Sequence, residues 1–122
     1  STDGLTNEVG RTKLIHHLKF DKSEHPIVAQ VFGTKTEKFQ ATAKLIRELG
    51  FDGLDINMGC PDKNIIKGGS CAGLFHTPEL ARDLVLAAKE GAGGDAPDAI
   101  PVSVKIRIGD TKIDWQNWIA KL

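Results

Sequence analysis

Residues 54–74 read LDINMGCPDKNIIKGGSCAGL, and the change of character halfway along this run decides the fold. With Gly53 in front, GLDIN (53–57) has the length and composition of a short, largely buried strand. Gly59, Cys60 and Pro61 then stop it, and a segment bearing glycine and lysine follows. Pro61 disfavours helical geometry at Cys60, and Gly59 permits dihedral angles closed to other residues. The Cys60 thiol is therefore expected in an extended turn immediately beyond a strand. An arbitrary cysteine is more often a small buried hydrophobe than a reagent. At the C-terminal rim of a strand in an α/β fold, where ligands bind, that balance reverses.

Working outward, PIVAQVFG (26–33) reads as a strand and TKTEKFQATAKLIRELG (34–50) as a helix. Thr34 with Glu37 fits a capping box, Gly50 a left-handed stop, and Phe39, Ala43 and Ile46 share one face. Downstream, Thr77 can cap a second helix with Pro78 in its first turn, and Leu80, Leu84, Ala87 and Ala88 recur at helical spacing until Gly91. After GAGGDAPDAIP comes PVSVKIRIG (101–109), another strand. Its Val102, Val104, Ile106 and Ile108 point one way and Ser103, Lys105 and Arg107 the other. Strand and helix in alternation imply a parallel sheet. Residues 10–20, GRTKLIHHLKF, suit a short amphipathic helix with Leu14, Ile15 and Leu18 as its apolar face.

A parallel sheet covered by helices is apolar on both faces, so polar side chains of one parity need a reason. Gln30 interrupts IVAQVF, Asp55 and Asn57 share a parity of GLDIN, and Lys105 and Arg107 share one of VSVKIRIG. On neighbouring strands Gln30, Asn57 and Lys105 would converge: two amides and a cation, suited to a heterocycle of alternating carbonyls and ring nitrogens. An exposed edge strand would account equally well for Lys105 and Arg107. Lys63, Lys67, Gly68, Gly69 and Gly73 are expected to form a flexible cationic lip able to approach a phosphate backbone; a solvated loop is the plain alternative. The order GxxxxGK[ST] is absent, which argues against ATP.

The 122 residues are enough for one domain, and 16 basic against 16 acidic residues give no global field toward nucleic acid or an anionic membrane. No apolar run approaches the roughly 20 residues that span a bilayer. Cys60 and Cys71 fit neither a disulfide framework nor a CxxC pair, and Cys60, Cys71 and His76 lack a fourth ligand at a recognisable spacing. Free thiols and no metal are expected, in a soluble chain of a reducing, cytoplasmic compartment. The start at Ser1 and the end in WIAKL, which reads as an unfinished helix, suit a piece of a longer protein.

The run LDINMGCPDKNIIKGGSCAGL, with AQVFG before it and VSVKIRIG after it, resembles the flavin-dependent tRNA-dihydrouridine synthases. Their signature joins a strand ending in Asn-x-Gly-Cys-Pro to a glycine-rich loop and a Val-Lys-x-Arg strand. Residues 26–109 carry the likeness, and DGLTNEVGR near the start also suits it. The resemblance implies reduction of the C5–C6 double bond of uridine in tRNA, with FMN at the mouth of a (β/α)8 barrel and NADPH as reductant. It implies Cys60 as the general acid that protonates C5 while reduced flavin delivers hydride to C6. A free thiol, with a pKa of about 8.5, is mostly protonated at neutral pH and can quench the enolate-like charge beside C5. By the same carry-over Gln30 and Lys105 contact the flavin ring, Asn57 lies between flavin and uracil, Arg107 sits at the rim, and Lys63 and Lys67 touch the tRNA backbone.

A (β/α)8 barrel needs about 200–250 residues. The expected fold class is therefore α/β, a partial TIM barrel of about half the strands, with residues 1–122 a single partial FMN-binding catalytic domain. Against the family pattern the chain lacks a first strand with Ala-Pro-Met, a later strand carrying histidine, the glycine-rich FMN phosphate site and the C-terminal helical tRNA-binding domain. Weak flavin binding, marginal stability and self-association through exposed sheet edges are expected of the chain alone. GGSCAGL stands where a small-residue GxGAxL run is expected, and Cys71 has no role in the pattern. The alternatives are an FMN barrel acting on a free pyrimidine, as dihydroorotate dehydrogenases do, and a non-catalytic remnant.

Overall fold

The computed structural model describes residues 1–108 and 115–122. In chain order it contains α1 (Thr2–Thr6), α2 (Glu8–Leu14), β1 (Val28–Val31), α3 (Thr36–Glu48), β2 (Gly53–Asn57), α4 (Lys63–Lys67), α5 (Pro78–Gly91), β3 (Val102–Lys105) and α6 (Trp115–Ile119), with 3-10 turns at Ile15–Leu18, Lys22–Glu24 and Cys71–His76. The three strands form one parallel sheet in the order β1-β2-β3, Gln30 opposite Asp55, and Asn57 opposite Lys105. This is the β-α-β-α-β alternation expected from the sequence, part of a barrel wall.

Among the described residues, one side of the sheet is packed. Ala29, Val31, Leu54, Ile56 and Met58 meet Phe39, Ala43 and Ile46 of α3 and Ala81, Leu84 and Ala88 of α5, all buried in one cluster. Burying a large apolar side chain of this kind contributes about 1.5–3 kcal/mol. Asp52 fixes the entry to β1: its Oδ2 binds His25 Nδ1 at 2.6 Å and accepts the Ile27 amide at 2.7 Å. The amide bond first, and then His25, hold the Asp52 carboxyl below the usual carboxylate range. The opposite side of the sheet, carrying Gln30, Asp55, Asn57, Ser103 and Lys105, is open or half-open.

Four local expectations need correcting. The Thr34 capping box does not form. Lys35 is at the N-cap of α3 without a side-chain bond, and Glu37 reaches only Thr36. The Thr2 amide donates to Phe32 O at 2.9 Å, and a Cβ on Gly33 would stand 2.0 Å from Thr2 Oγ1. With residues 32–33 pinned there, helical geometry begins too late for Thr34 to reach an N3 amide. Thr77 does precede Pro78 at the start of α5, but its hydroxyl makes no capping bond. Residues 62–74, expected to form a flexible lip, are folded: Asp62 Oδ1 accepts the amides of Asn64 and Ile65 and starts α4, and the 3-10 turn follows.

The fourth concerns the downstream strand, which ends at Lys105. Ile106 still packs on the core, Ile108 is 64% exposed, and Gly109 lies outside the described residues. The short amphipathic helix near the start is present as the end of α2 and the turn at Ile15–Leu18, where Leu14 and Leu18 pack on the core. Gly50 has φ +85° and follows α3 as the expected left-handed stop. At the far end α6 closes at Ile119 in turn bonds, and Trp118 stacks on Phe75 at 5.4 Å.

Candidate active site at the sheet rim

The open side of the sheet carries a hydrogen-bonded ladder that runs across all three strands. Asp55, in the middle, accepts Gln30 Nε2 at 2.7 Å on one oxygen and Ser103 Oγ at 2.6 Å on the other. Gln30 Oε1 in turn accepts Asn57 Nδ2 at 3.3 Å. Both ends of the Gln30 amide are thereby oriented: nitrogen to the carboxylate, oxygen to the second amide. Parallel pairing produces this arrangement, because it sets Gln30, Asp55 and Ser103 side by side on one face.

Asn57 then builds the turn that carries the thiol. Its Oδ1 accepts the amides of Gly59 and Cys60, both at 3.0 Å, so one strand side chain holds two successive main-chain N–H groups. The Met58 amide donates to Lys105 O at 2.8 Å, and Arg107 Nη1 donates to Gly59 O at 3.3 Å, tying the turn to β3 and the segment after it. Gly59 plays a smaller part than its conformational freedom suggested. It is not among the glycines of positive φ, and a Cβ there would meet Ile106 at 3.4 Å, an ordinary contact. The Asx turn at Asn57, legible in the order Asn-x-Gly-Cys, does the work assigned to the glycine.

Gln30, Asn57 and the Cys60 main chain thus share one bonded network, with Lys105 paired to Asn57 across the strands. Lys105 Nζ donates to Ile106 O at 3.1 Å. Arg107 reaches the same corner through Gly59. Lys63 and Lys67 stand one helical turn apart on α4, both exposed, and neither ammonium has a side-chain partner among the described residues. Among the described residues no hydrogen bond or ion pair joins their ammonium groups to the rim.

Counting what the network leaves over defines what the rim can bind. Asn57 has spent its carbonyl and one N–H, leaving one donor; Gln30 keeps one donor and one lone pair; Lys105 keeps two of three donors. These three side chains keep four donors and one acceptor, complementary to an edge of carbonyls interrupted by a single N–H, while Asp55 and Ser103 retain lone pairs of their own. Asp55, marked in the sequence only by its parity with Asn57, and Ser103 supply the orientation. Among the described residues no group of three or more His, Cys, Asp or Glu could hold a metal ion, and no helix is long and apolar enough to cross a membrane.

Three parallel strands alternating with helices, with two amides and an ammonium on the open face, form part of an α/β barrel wall, a fold that binds ligands at the C-terminal ends of its strands. Residues 6–121 match the family described as Dihydrouridine synthase (Dus). The chain belongs to that family. It is 38% identical over 120 residues to the "Probable tRNA-dihydrouridine synthase" of Staphylococcus aureus (strain Mu50), covering 98% of this chain and 34% of that protein. To the "Probable tRNA-dihydrouridine synthase 2" of Bacillus subtilis (strain 168) it is 43% identical over 114 residues, covering 93% and 33%. The chain spans about a third of the length of the curated relatives it matches.

Proposed function

We propose that this chain is the part of a tRNA-dihydrouridine synthase barrel that presents the proton donor and one side of the flavin site, acting within a protein that completes the barrel. The observation that carries this reading is the bonded chain from Asp55 through Gln30 and Asn57 to the Cys60 amide, in a member of this family. The donors left on Gln30, Asn57 and Lys105 fit the pyrimidine edge of FMN, whose carbonyls flank one N–H. Gln30 and Lys105 hold that edge, the Lys105 cation favouring negative charge on a reduced ring. Reduced FMN, renewed by NADPH, supplies hydride to C6 of uracil when bound.

The remaining steps belong to the chain. Cys60 keeps a proton at C5 of an extruded uridine and gives it up as charge develops there. Asn57 fixes the height of that thiol above the sheet by gripping its amide, and its last N–H faces the ligand. Lys63, Lys67 and Arg107 offer charge to the tRNA backbone, whose contacts must offset the few kcal/mol that extruding a base costs. The outer strands β1 and β3 are where further barrel strands pair, or where isolated chains self-associate. A cytoplasmic setting follows from a tRNA substrate and a working thiol.

The test is made on the full-length protein containing this chain. Visible flavin absorbance after purification and NADPH-dependent formation of dihydrouridine in unmodified tRNA are expected. Turnover of orotate without action on tRNA would support the free-pyrimidine reading instead, and neither activity would support a remnant.

Asp55 makes a separate forecast. Asp55→Ala leaves Gln30 and Ser103 without their acceptor, which costs about 1–2 kcal/mol and corresponds to flavin binding weakened by about 5–30-fold. Asp55→Asn, which can accept from Gln30, is expected to recover most of the loss in a flavin titration. Equal affinity in all three proteins would remove Asp55 from the site.

A further inference from the structure

Cys71 is the rim residue to which the proposed reaction gives no task. It is fully buried, and among the described non-glycine residues it alone has positive φ, +54°. An L-residue held in that region costs about 1–2 kcal/mol, and such strain is a pointer to function. Its neighbour is Cys60. The Ala72 amide donates to Cys60 O at 3.2 Å. A main-chain bond of that kind sets backbones about 5 Å apart, inside the Cα span of about 4.4–6.8 Å that a disulfide bridges. The neighbouring Cys60 also adds to the upward push on the Cys71 thiol.

We propose that Cys60 and Cys71 are an oxidisable pair, a disulfide modification site that withdraws the Cys60 thiol under peroxide and protects it from irreversible oxidation. The two sulfurs are unequal. Cys60 is half-buried and Cys71 wholly so, and burial, followed by the Cys60 neighbour, pushes the Cys71 thiol up. Cys60 is accordingly the first to react. Its sulfur, having lost its proton, attacks hydrogen peroxide: an S–O bond forms, the O–O bond breaks, and the departing hydroxide takes a proton and leaves as water. The Cys71 sulfur then attacks the Cys60 sulfenic acid. An S–S bond forms, the S–O bond breaks, and a second water carries away the Cys71 proton. Two thiols give two electrons to one peroxide, and a small dithiol reverses the change.

The loss of tRNA reduction on oxidation rests on Cys60 being the proton donor; the bond itself does not. The full-length protein is treated with hydrogen peroxide, its remaining thiols are blocked, and its mass and peptides are read. The expected result is a loss of about 2 Da, a linked pair of peptides carrying Cys60 and Cys71, and recovery with dithiothreitol. Cys71→Gly, which relieves the left-handed strain and leaves only a small cavity, should instead gain about 32 Da on Cys60 as sulfinic acid, unaffected by dithiothreitol. Sulfinic acid accumulating equally fast in both proteins, without a linked peptide, overturns the proposal. Failure of the catalytic reading would look different: the bond would still form, but Cys60→Ala would still reduce tRNA.

Discussion

Cys60→Ala should lower dihydrouridine formation in tRNA by about 10²–10⁴-fold, the usual worth of a positioned general acid, while the protein stays yellow. The separation of the two readouts follows from how the turn is built. Asn57 holds the main-chain amides of residues 59 and 60, and Arg107 holds the Gly59 carbonyl, so removing the Cys60 side chain breaks none of these bonds. Gln30, Asp55 and Lys105 likewise keep their partners. Single-turnover assays with prereduced flavin would show the defect directly. Wild-type turnover by the alanine variant would end the assignment of the proton to this thiol.

The second large effect is on stability. α3 and α5 approach closely where Gly91 lies, and a Cβ there would stand 2.1 Å from Gln40 O and 3.0 Å from the Ala43 Cβ. The obstacle is main chain, which cannot swing aside like a side-chain tip, so Gly91→Ala must push the helices apart. Overpacking of this kind costs about 2–3 kcal/mol, or a fall of about 10 °C or more in Tm for a domain of this size. Gly50→Ala is the comparison. Nothing lies within 4 Å of its Cβ, so it loses only the backbone preference that goes with φ +85°, about 1 kcal/mol. If the variant at position 91 melts no lower than the one at position 50, helix contact is not what Gly91 provides.

Sequence periodicity was enough to find β1, β2 and β3 and the faces of α3 and α5, because burial on one side imposes spacing that a linear string records. Gln30, Asn57 and Lys105 were found for the complementary reason: polar residues intruded on that spacing. Asp55 was noticed only as a companion of Asn57. Its function depends on Gln30 and Ser103, 25 and 48 positions away, and only the register of the sheet puts them together. The Asp62 cap and α4 are hidden behind the loop-like glycine and lysine content of this segment, although Asp62 ahead of KNIIK is a usable start signal. Thr34 failed the other way: a correct local motif lost to the docking of α1 against residues 32–33.

The anchor of the thiol and the cationic lip are separate pieces of backbone. Asn57 belongs to β2, and the lysines ride on α4 with a cap of its own. Under the proposed function, drift in residues 63–69 would alter which nucleic-acid surface is gripped while leaving intact the bonds that Asn57 makes to the amides of Gly59 and Cys60.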